Sequence, residues 1–172
     1  MHPASVIALG YRYPAPGRLE TLTAGVDASL HGVTLRYMRQ FVDAVASLSL
    51  GEWEELHTRT LDLSPAFVPY VGHVIWGENY RRGEFMAELK HEMRRCGVGL
   101  DGELPDHIEP VLRYVAETSR VHDDLLDVLA AAVASMRSTL RTADRHNPYC
   151  HLLDATLAVA EDLKPVTIGT RR

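Results

Sequence analysis

Apolar residues recur every three or four positions along several long segments of this 172-residue chain. This spacing places them on one face of an α-helix, whereas a half-buried β-strand would show strict alternation. The clearest examples are 33–48, 85–96, 121–140 and 148–163. Alternating runs bounded by hairpin turns are missing from the sequence. We therefore predict an all-α fold.

Chain length and composition predict a single domain. With 46% hydrophobic residues, the chain is long enough for one sizeable core and too short to expect two. Two further candidate helices at 4–11 and 18–30 are short, and we expect them to be minor members. We predict a bundle of six to seven helices over residues 1–165, followed by a disordered tail at 166–172. The predicted core residues are Tyr37, Phe41, Val45, Leu89, Met93, Val111, Val115, Leu129, Val133, Met136 and Leu157.

Charge and hydropathy exclude several kinds of partner. The formal net charge is −5 and the basic residues are scattered, which disfavours binding to nucleic acid or to an anionic membrane surface. No segment approaches the roughly 18 uninterrupted apolar residues that a membrane span needs. The first apolar run has no preceding basic region and ends at Gly10, so we expect no signal peptide.

One stretch, Asp62 to Cys96, combines more kinds of chemistry than a core helix requires. Ser64-Pro65 is a helix-start signal, and Trp76-Gly77-Glu78 is followed closely by an arginine pair. An aromatic wall, carboxylates and guanidinium groups together suit a peptide ligand. We expect a groove bordered by Asp62 to Gly83. Its candidate peptide-binding residues are Asp62, Tyr70, His73, Trp76, Glu78 and Arg82.

A glycine-rich segment follows this stretch. Three glycines lie within Gly97 to Gly102, and two prolines follow five residues apart. Such a composition is typical of a mobile connection. We predict that Gly97 to His107 is mobile and acts as a hinge, which includes Pro105, Asp106 and His107.

Two other classes of function remain open alternatives. His146, Cys150 and His151 form the best candidate metal cluster, but Pro148 separates His146 from the helix that carries the other two. The chain has no phosphate-binding glycine fingerprint and no nucleophile elbow. We therefore predict a protein that is not an enzyme and has no metal site. A helical oligomerisation module is the third alternative.

Five short motifs occur in order along the first two thirds of the chain: Tyr13-Pro14, Leu61-Asp62-Leu63-Ser64-Pro65, Trp76-Gly77-Glu78, Arg82-Gly83 and Glu103-Leu104-Pro105-Asp106-His107. They resemble motifs of the molybdoenzyme assembly chaperones, the family that includes the nitrate reductase delta subunit (NarJ type) and its TorD-like relatives. At 57–62 only Thr60 and Asp62 match the family's usual run, and Arg81 stands where an acid is usual. These departures suit a client other than nitrate reductase itself.

The resemblance implies a TorD-like helical fold and a cytoplasmic, non-catalytic role. Such a chaperone binds the N-terminal segment of a molybdoenzyme catalytic subunit. It assists insertion of the bis-molybdopterin guanine dinucleotide cofactor, holds no cofactor stably itself, and is absent from the mature enzyme. The client would be nitrate reductase or a related enzyme of the DMSO-reductase superfamily. We expect the chaperone to be a monomer or a weak homodimer.

Overall fold

Nine α-helices and one π-helical turn make up the regular structure of the residues that the computed structural model describes, which are 1–62, 66–118 and 121–164. The only β pairing among these residues is an isolated antiparallel bridge between Tyr70 and His107. The all-α, single-domain prediction is confirmed, with nine helices rather than six or seven. The helices are α1 (Pro3–Tyr11), α2 (Arg18–Ser29), α3 (Gly32–Ala46), α4 (Leu50–His57), α5 (Val71–Trp76), α6 (Tyr80–Arg95), α7 (Ile108–Glu117), α8 (Asp123–Ala143) and α9 (Tyr149–Asp162), with the π turn at Thr58–Asp62.

Two sequence predictions fall outside these residues. They are the helix start at Ser64-Pro65 and the disordered tail at 166–172. The predicted domain boundary at residue 165 lies there too.

Helix α1 is a central element of the core, contrary to the expectation that the first two helices are minor members. Its Val6, Ile7 and Ala8 are buried, and it packs against α7, α2 and α9. The hydroxyl groups of Tyr11 and Thr156 are hydrogen-bonded at 2.8 Å, which ties α1 to α9. A helix that is apolar around most of its circumference is stable only where it is surrounded. The composition of α1 therefore predicts its place better than its length does.

Nine of the eleven predicted core residues are buried. The other two, Tyr37 and Leu157, are only partly buried and pack against the core from its edge. On α3 the buried face is centred on Met38, Phe41 and Val45. Tyr37 precedes Met38 by one residue, which turns its side chain about 100° away from the centre of that face.

The ends of α6 are defined by local hydrogen bonds. Asn79 Oδ1 accepts from the backbone N–H of Arg81 at 3.0 Å, which satisfies one of the free donors at the helix start. At the other end Gly97 adopts a φ of 74°, and the N–H of Val98 donates back to the carbonyl of Met93 at 2.9 Å. The left-handed conformation of Gly97 ends the helix. Glycine suits this position because L side chains rarely adopt that conformation.

Helix α6 is attached to the rest of the fold by few buried residues. Of its 16 residues only Leu89 and Met93 are buried. Helix α8, in contrast, packs along α9 and against α5, and its Arg137 and Arg141 lie 2.6 and 2.8 Å from the buried carboxylate of Asp154. One side of α6 is thus left free to form the wall of a groove. None of the helices in the described part of the chain is long and apolar enough to cross a membrane.

The central position of α1 predicts a large effect of shortening Ile7. Ile7→Ala should lower the free energy of unfolding by about 2–5 kcal/mol, because it leaves a cavity where the side chain is fully enclosed. Val33→Ala is the matched control, since Val33 is 45% exposed, and it should change stability by less than about 0.5 kcal/mol. Urea denaturation followed by circular dichroism measures both. Equal, small losses for the two variants would contradict the central role of α1.

Candidate functional site

The stretch predicted to bind peptide and the segment predicted to be a hinge meet in space. The N–H of Val71 donates to the carbonyl of Asp106 at 2.7 Å, and the N–H of Ile108 donates to the carbonyl of Pro69 at 2.9 Å. These bonds flank the Tyr70–His107 bridge. They bring together a set of polar side chains that we call the Arg82 cluster: Tyr70, His73, Glu78, Arg82, Glu103, Asp106 and His107.

A buried ion pair lies at the centre of the Arg82 cluster. Arg82 Nε donates to Asp106 Oδ2 at 2.8 Å, and Nη2 donates to Oδ1 at 3.3 Å. The Asp106 side chain is fully buried and that of Arg82 is 13% exposed. The hydrogen bond that Arg82 donates to Asp106 is the main reason that the pKa of Arg82 is raised. Arg82 therefore pairs with Asp106 inside the protein, and its predicted contact with a peptide stays a prediction.

Tyr70 joins the ion pair to the neighbouring loop. The Arg82 guanidinium lies over the Tyr70 ring at 5.7 Å from its centre, and the Tyr70 hydroxyl donates to Glu103 Oε1 at 2.9 Å. Burial, together with the Glu103 carboxylate, raises the pKa of Tyr70 to about 12. The phenol therefore stays protonated and keeps donating to Glu103 at physiological pH. The His107 ring packs edge to face on Tyr70 at 5.2 Å.

Two further predicted site residues, Glu78 and Asp62, are exposed carboxylates. Glu78 is 83% exposed, and its Oε1 lies 3.1 Å from His73 Nδ1 and 3.5 Å from Arg82 Nη1. Asp62 is 48% exposed and lies 3.4 Å from Nδ1 of His57. These two carboxylates are thus the accessible charges of the predicted set.

Gly72 allows the ion pair to form, and the sequence analysis missed it. A Cβ atom at this position would lie 2.8 Å from Asp106 Oδ2, 3.1 Å from Phe85 Cδ1 and 3.2 Å from Arg82 Cγ. The backbone of α5 therefore approaches the ion pair more closely than any residue with a side chain would permit. The only signal available in the sequence was a glycine inside an otherwise apolar helical segment.

The segment predicted as a hinge is fixed at one end in the structure. Pro105, Asp106 and His107 are buried, and His107 Nδ1 accepts from the N–H of Glu109 at 3.2 Å, which caps the start of α7. These contacts hold residues 105–107 in place, because motion here would break both the Arg82–Asp106 ion pair and the His107 cap. Motion within the exposed glycines before Glu103 stays a prediction.

A groove of about 610 Å³ opens between α6 and α8, and we call it the α6–α8 groove. Apolar and aromatic side chains form its floor, and charged side chains form its rim. Because Leu89, Tyr114 and Leu125 are buried beneath it, the floor is continuous with the core. The floor consists of Trp76, Phe85, Leu89, Tyr114, Leu125 and Val128, and the rim of Arg81, Glu84, Glu88, Glu92, His122 and Asp124.

This groove coincides only in part with the groove predicted along Asp62 to Gly83, and peptide binding at that stretch stays a prediction. Of the six predicted peptide-binding residues only Trp76 lines it, and its ring packs on Phe85 at 5.0 Å. Arg82 points from a different face of α6 toward Asp106. The two surfaces therefore share one helix: α6 contributes Arg82 to the ion pair and Phe85, Glu84 and Glu88 to the groove.

The alternative metal cluster does not assemble. His146 is exposed and its Nε2 lies 3.0 Å from Nε of Arg145, whereas Cys150 is buried with its Sγ facing the carbonyl of Asp144 at 3.8 Å. Within 1–62, 66–118 and 121–164, no group of three or more His, Cys, Asp or Glu residues is arranged to hold a metal ion.

No family model and no curated protein matches the chain.

The close approach at Gly72 predicts a strong effect of adding one methyl group. Gly72→Ala should lower the free energy of unfolding by about 1–3 kcal/mol, because the buried Asp106 carboxylate cannot move away without weakening its bonds to Arg82. Gly83→Ala is the matched control: nothing lies within 4 Å of its Cβ position. That substitution should stabilise α6 by about 0.5–1 kcal/mol. Chemical denaturation of both variants tests this, and similar effects at the two glycines would refute the tight contact.

The buried cap at His107 predicts loss of stability at mildly acidic pH. Burial lowers the pKa of His107 below its ordinary value of 6.5, although the surrounding carboxylates oppose the shift. The neutral ring is therefore favoured in the folded state. The contribution of the neutral His107 ring to the free energy of unfolding is complete above pH 6.5. It is lost as the pH falls from there toward the folded-state pKa.

The variant His107→Asn keeps an acceptor for the helix start but does not titrate. The unfolding free energy of this variant should fall less between pH 7 and pH 5 than that of the unmodified chain. Denaturation at a series of pH values measures the difference. Parallel profiles would show that His107 does not contribute to the pH dependence.

Proposed function

We propose that this chain is a non-enzymatic chaperone that binds the N-terminal segment of a molybdoenzyme catalytic subunit in the α6–α8 groove. The segment would bind as a helix with its apolar face on the groove floor. Binding would hold the client ready for insertion of the bis-molybdopterin guanine dinucleotide cofactor, which the chaperone itself does not retain.

The observation that carries this proposal is the combination of an apolar floor with an acidic rim. Three glutamates, Glu84, Glu88 and Glu92, follow one another along the α6 rim, and Asp124 lies on the α8 rim. Laying the apolar face of an amphipathic helix into such a groove is a common mode of peptide recognition. The excess of carboxylates favours a ligand helix with basic residues beside its apolar face.

The choice of client is supported by the motifs that resemble the molybdoenzyme chaperones. Two of them, Arg82-Gly83 and Glu103 to His107, contribute Arg82 and Asp106 to the same buried ion pair. That pair attaches the start of α6 to the loop before α7. In this proposal the motif residues therefore hold the groove wall in place, and the rim residues contact the client.

The remaining parts of the proposal follow from the same resemblance. The chaperone would act in the cytoplasm as a monomer or weak homodimer and would be absent from the mature enzyme. Asp62 and Glu78, the exposed carboxylates of the predicted set, would attract basic residues of the client outside the groove. The client would be nitrate reductase or another enzyme of the DMSO-reductase superfamily.

Calorimetric titration with the client's N-terminal peptide tests the proposal. We expect binding with a Kd in the micromolar range, because ordering a free peptide offsets part of the interaction energy. Glu84→Gln combined with Glu88→Gln should weaken binding roughly two- to thirtyfold, since exposed charge pairs contribute about 0.2–1 kcal/mol each. Raising the salt concentration should weaken binding of the unmodified chain more than that of this variant.

The matched control combines Asp43→Asn with Glu55→Gln, which removes two exposed negative charges from α3 and α4. This control should bind as tightly as the unmodified chain. An equal loss in both double variants would indicate a general charge effect rather than the groove. If the unmodified chain binds no catalytic-subunit peptide and light scattering instead shows a tight dimer, the chaperone proposal is wrong and the oligomerisation module is favoured.

A further inference from the structure

The charged residues that α6 contributes to the groove rim change from positive to negative along the helix. Arg81, Glu84 and Glu88 all line the α6–α8 groove, at spacings of three and four residues along the helix. Residues with this spacing lie on one side of a helix, about 4.5 and 6 Å apart along its axis. The rim therefore presents one positive charge near the start of α6, followed by negative charges.

These charges are not neutralised by the protein itself. Among the residues that the structure describes, no salt bridge involves Arg81, Glu84 or Glu88, and all three are exposed. Glu92, the next rim carboxylate, differs because Arg95 Nη1 lies 3.1 Å from its Oε1. On α6, the unpaired part of the rim thus consists of one cation and two anions.

We infer that this rim selects a ligand helix by the order of its charges. The matching helix carries one acidic and then two basic residues at spacings of three and four, on the flank of its apolar stripe. This inference rests on the proposed function, because it describes how the same groove distinguishes one helical segment from another. A ligand with the same composition in a different order places like charges opposite each other and binds more weakly.

The apolar floor of the groove fixes where a bound ligand helix lies between α6 and α8. Trp76 and Phe85 form an aromatic pair at one end of the floor, and Leu125 and Val128 border it on α8. A helix whose apolar stripe covers these residues has only its flanks available to α6. The flank that faces α6 then meets Arg81, Glu84 and Glu88 in sequence.

Two synthetic amphipathic helices of identical composition test the inference. The first carries Glu, Lys, Lys in this order at spacings of three and four, and the second carries Lys, Glu, Lys at the same three positions. The unmodified chain should bind the first peptide about tenfold more tightly, as expected for several exposed charge pairs acting together. Reversing the direction of the second peptide does not restore the match, because its order is symmetric.

The decisive variant combines Arg81→Glu with Glu84→Arg, which leaves the net charge unchanged and reverses the order at two positions. It should prefer the second peptide over the first. A control exchange, Arg36→Glu with Asp43→Arg on α3, should keep the preference of the unmodified chain. Fluorescence anisotropy of labelled peptides measures the six affinities of the two peptides for the three proteins, and circular dichroism checks that each variant is folded.

Reversal of the preference in the Arg81/Glu84 exchange alone supports the inference. Equal affinities for the two peptides, an unchanged preference in that exchange, or no binding of either peptide overturns it. Titration of the client peptide separates this failure from failure of the proposed function. If the client peptide binds the unmodified and exchanged chains equally, the chaperone proposal stands and the selection by charge order does not.

Discussion

The buried ion pair between Arg82 and Asp106 determines how the two halves of the candidate site are arranged. A carboxylate removed from water is stable only with a well-placed partner, and loss of one member of such a pair typically costs 3–5 kcal/mol. Here Nε and Nη2 of Arg82 both donate to the Asp106 carboxylate, and Gly72 leaves space for the pair because it has no side chain. The pair attaches the first turn of α6 to the loop that starts α7.

This attachment explains how a weakly packed helix can form the wall of the α6–α8 groove. Helix α6 buries only Leu89 and Met93, so hydrophobic packing holds its second half and the ion pair holds its first. The side of α6 that faces α8 forms one wall of the groove.

The sequence predicts the helices and most of the core because both depend on local periodicity. The faces of α3 and α8 repeat over four or more turns, and the buried residues follow that repeat. The role of α1 was misjudged because length was weighed above its almost complete lack of a polar side. The groove and the contact at Gly72 could not be predicted, since each depends on residues about 35 or more positions apart. Four residues of the Arg82 cluster, Tyr70, His73, Glu78 and Arg82, were predicted as peptide contacts, and Asp106 and His107 as part of a hinge. The contacts that these residues make with one another were not predicted.

The central claim is that a client segment lies in the α6–α8 groove, and the two tryptophans of the chain allow a direct test. Trp76 lines the groove, whereas Trp53 is only 3% exposed in the core. The indole N–H signals of the ¹⁵N-labelled protein, assigned with Trp76→Phe, are followed by NMR during titration with the client's N-terminal peptide. The account predicts that the Trp76 signal shifts until binding saturates while the Trp53 signal stays in place. Saturable binding that leaves the Trp76 signal unchanged would contradict it.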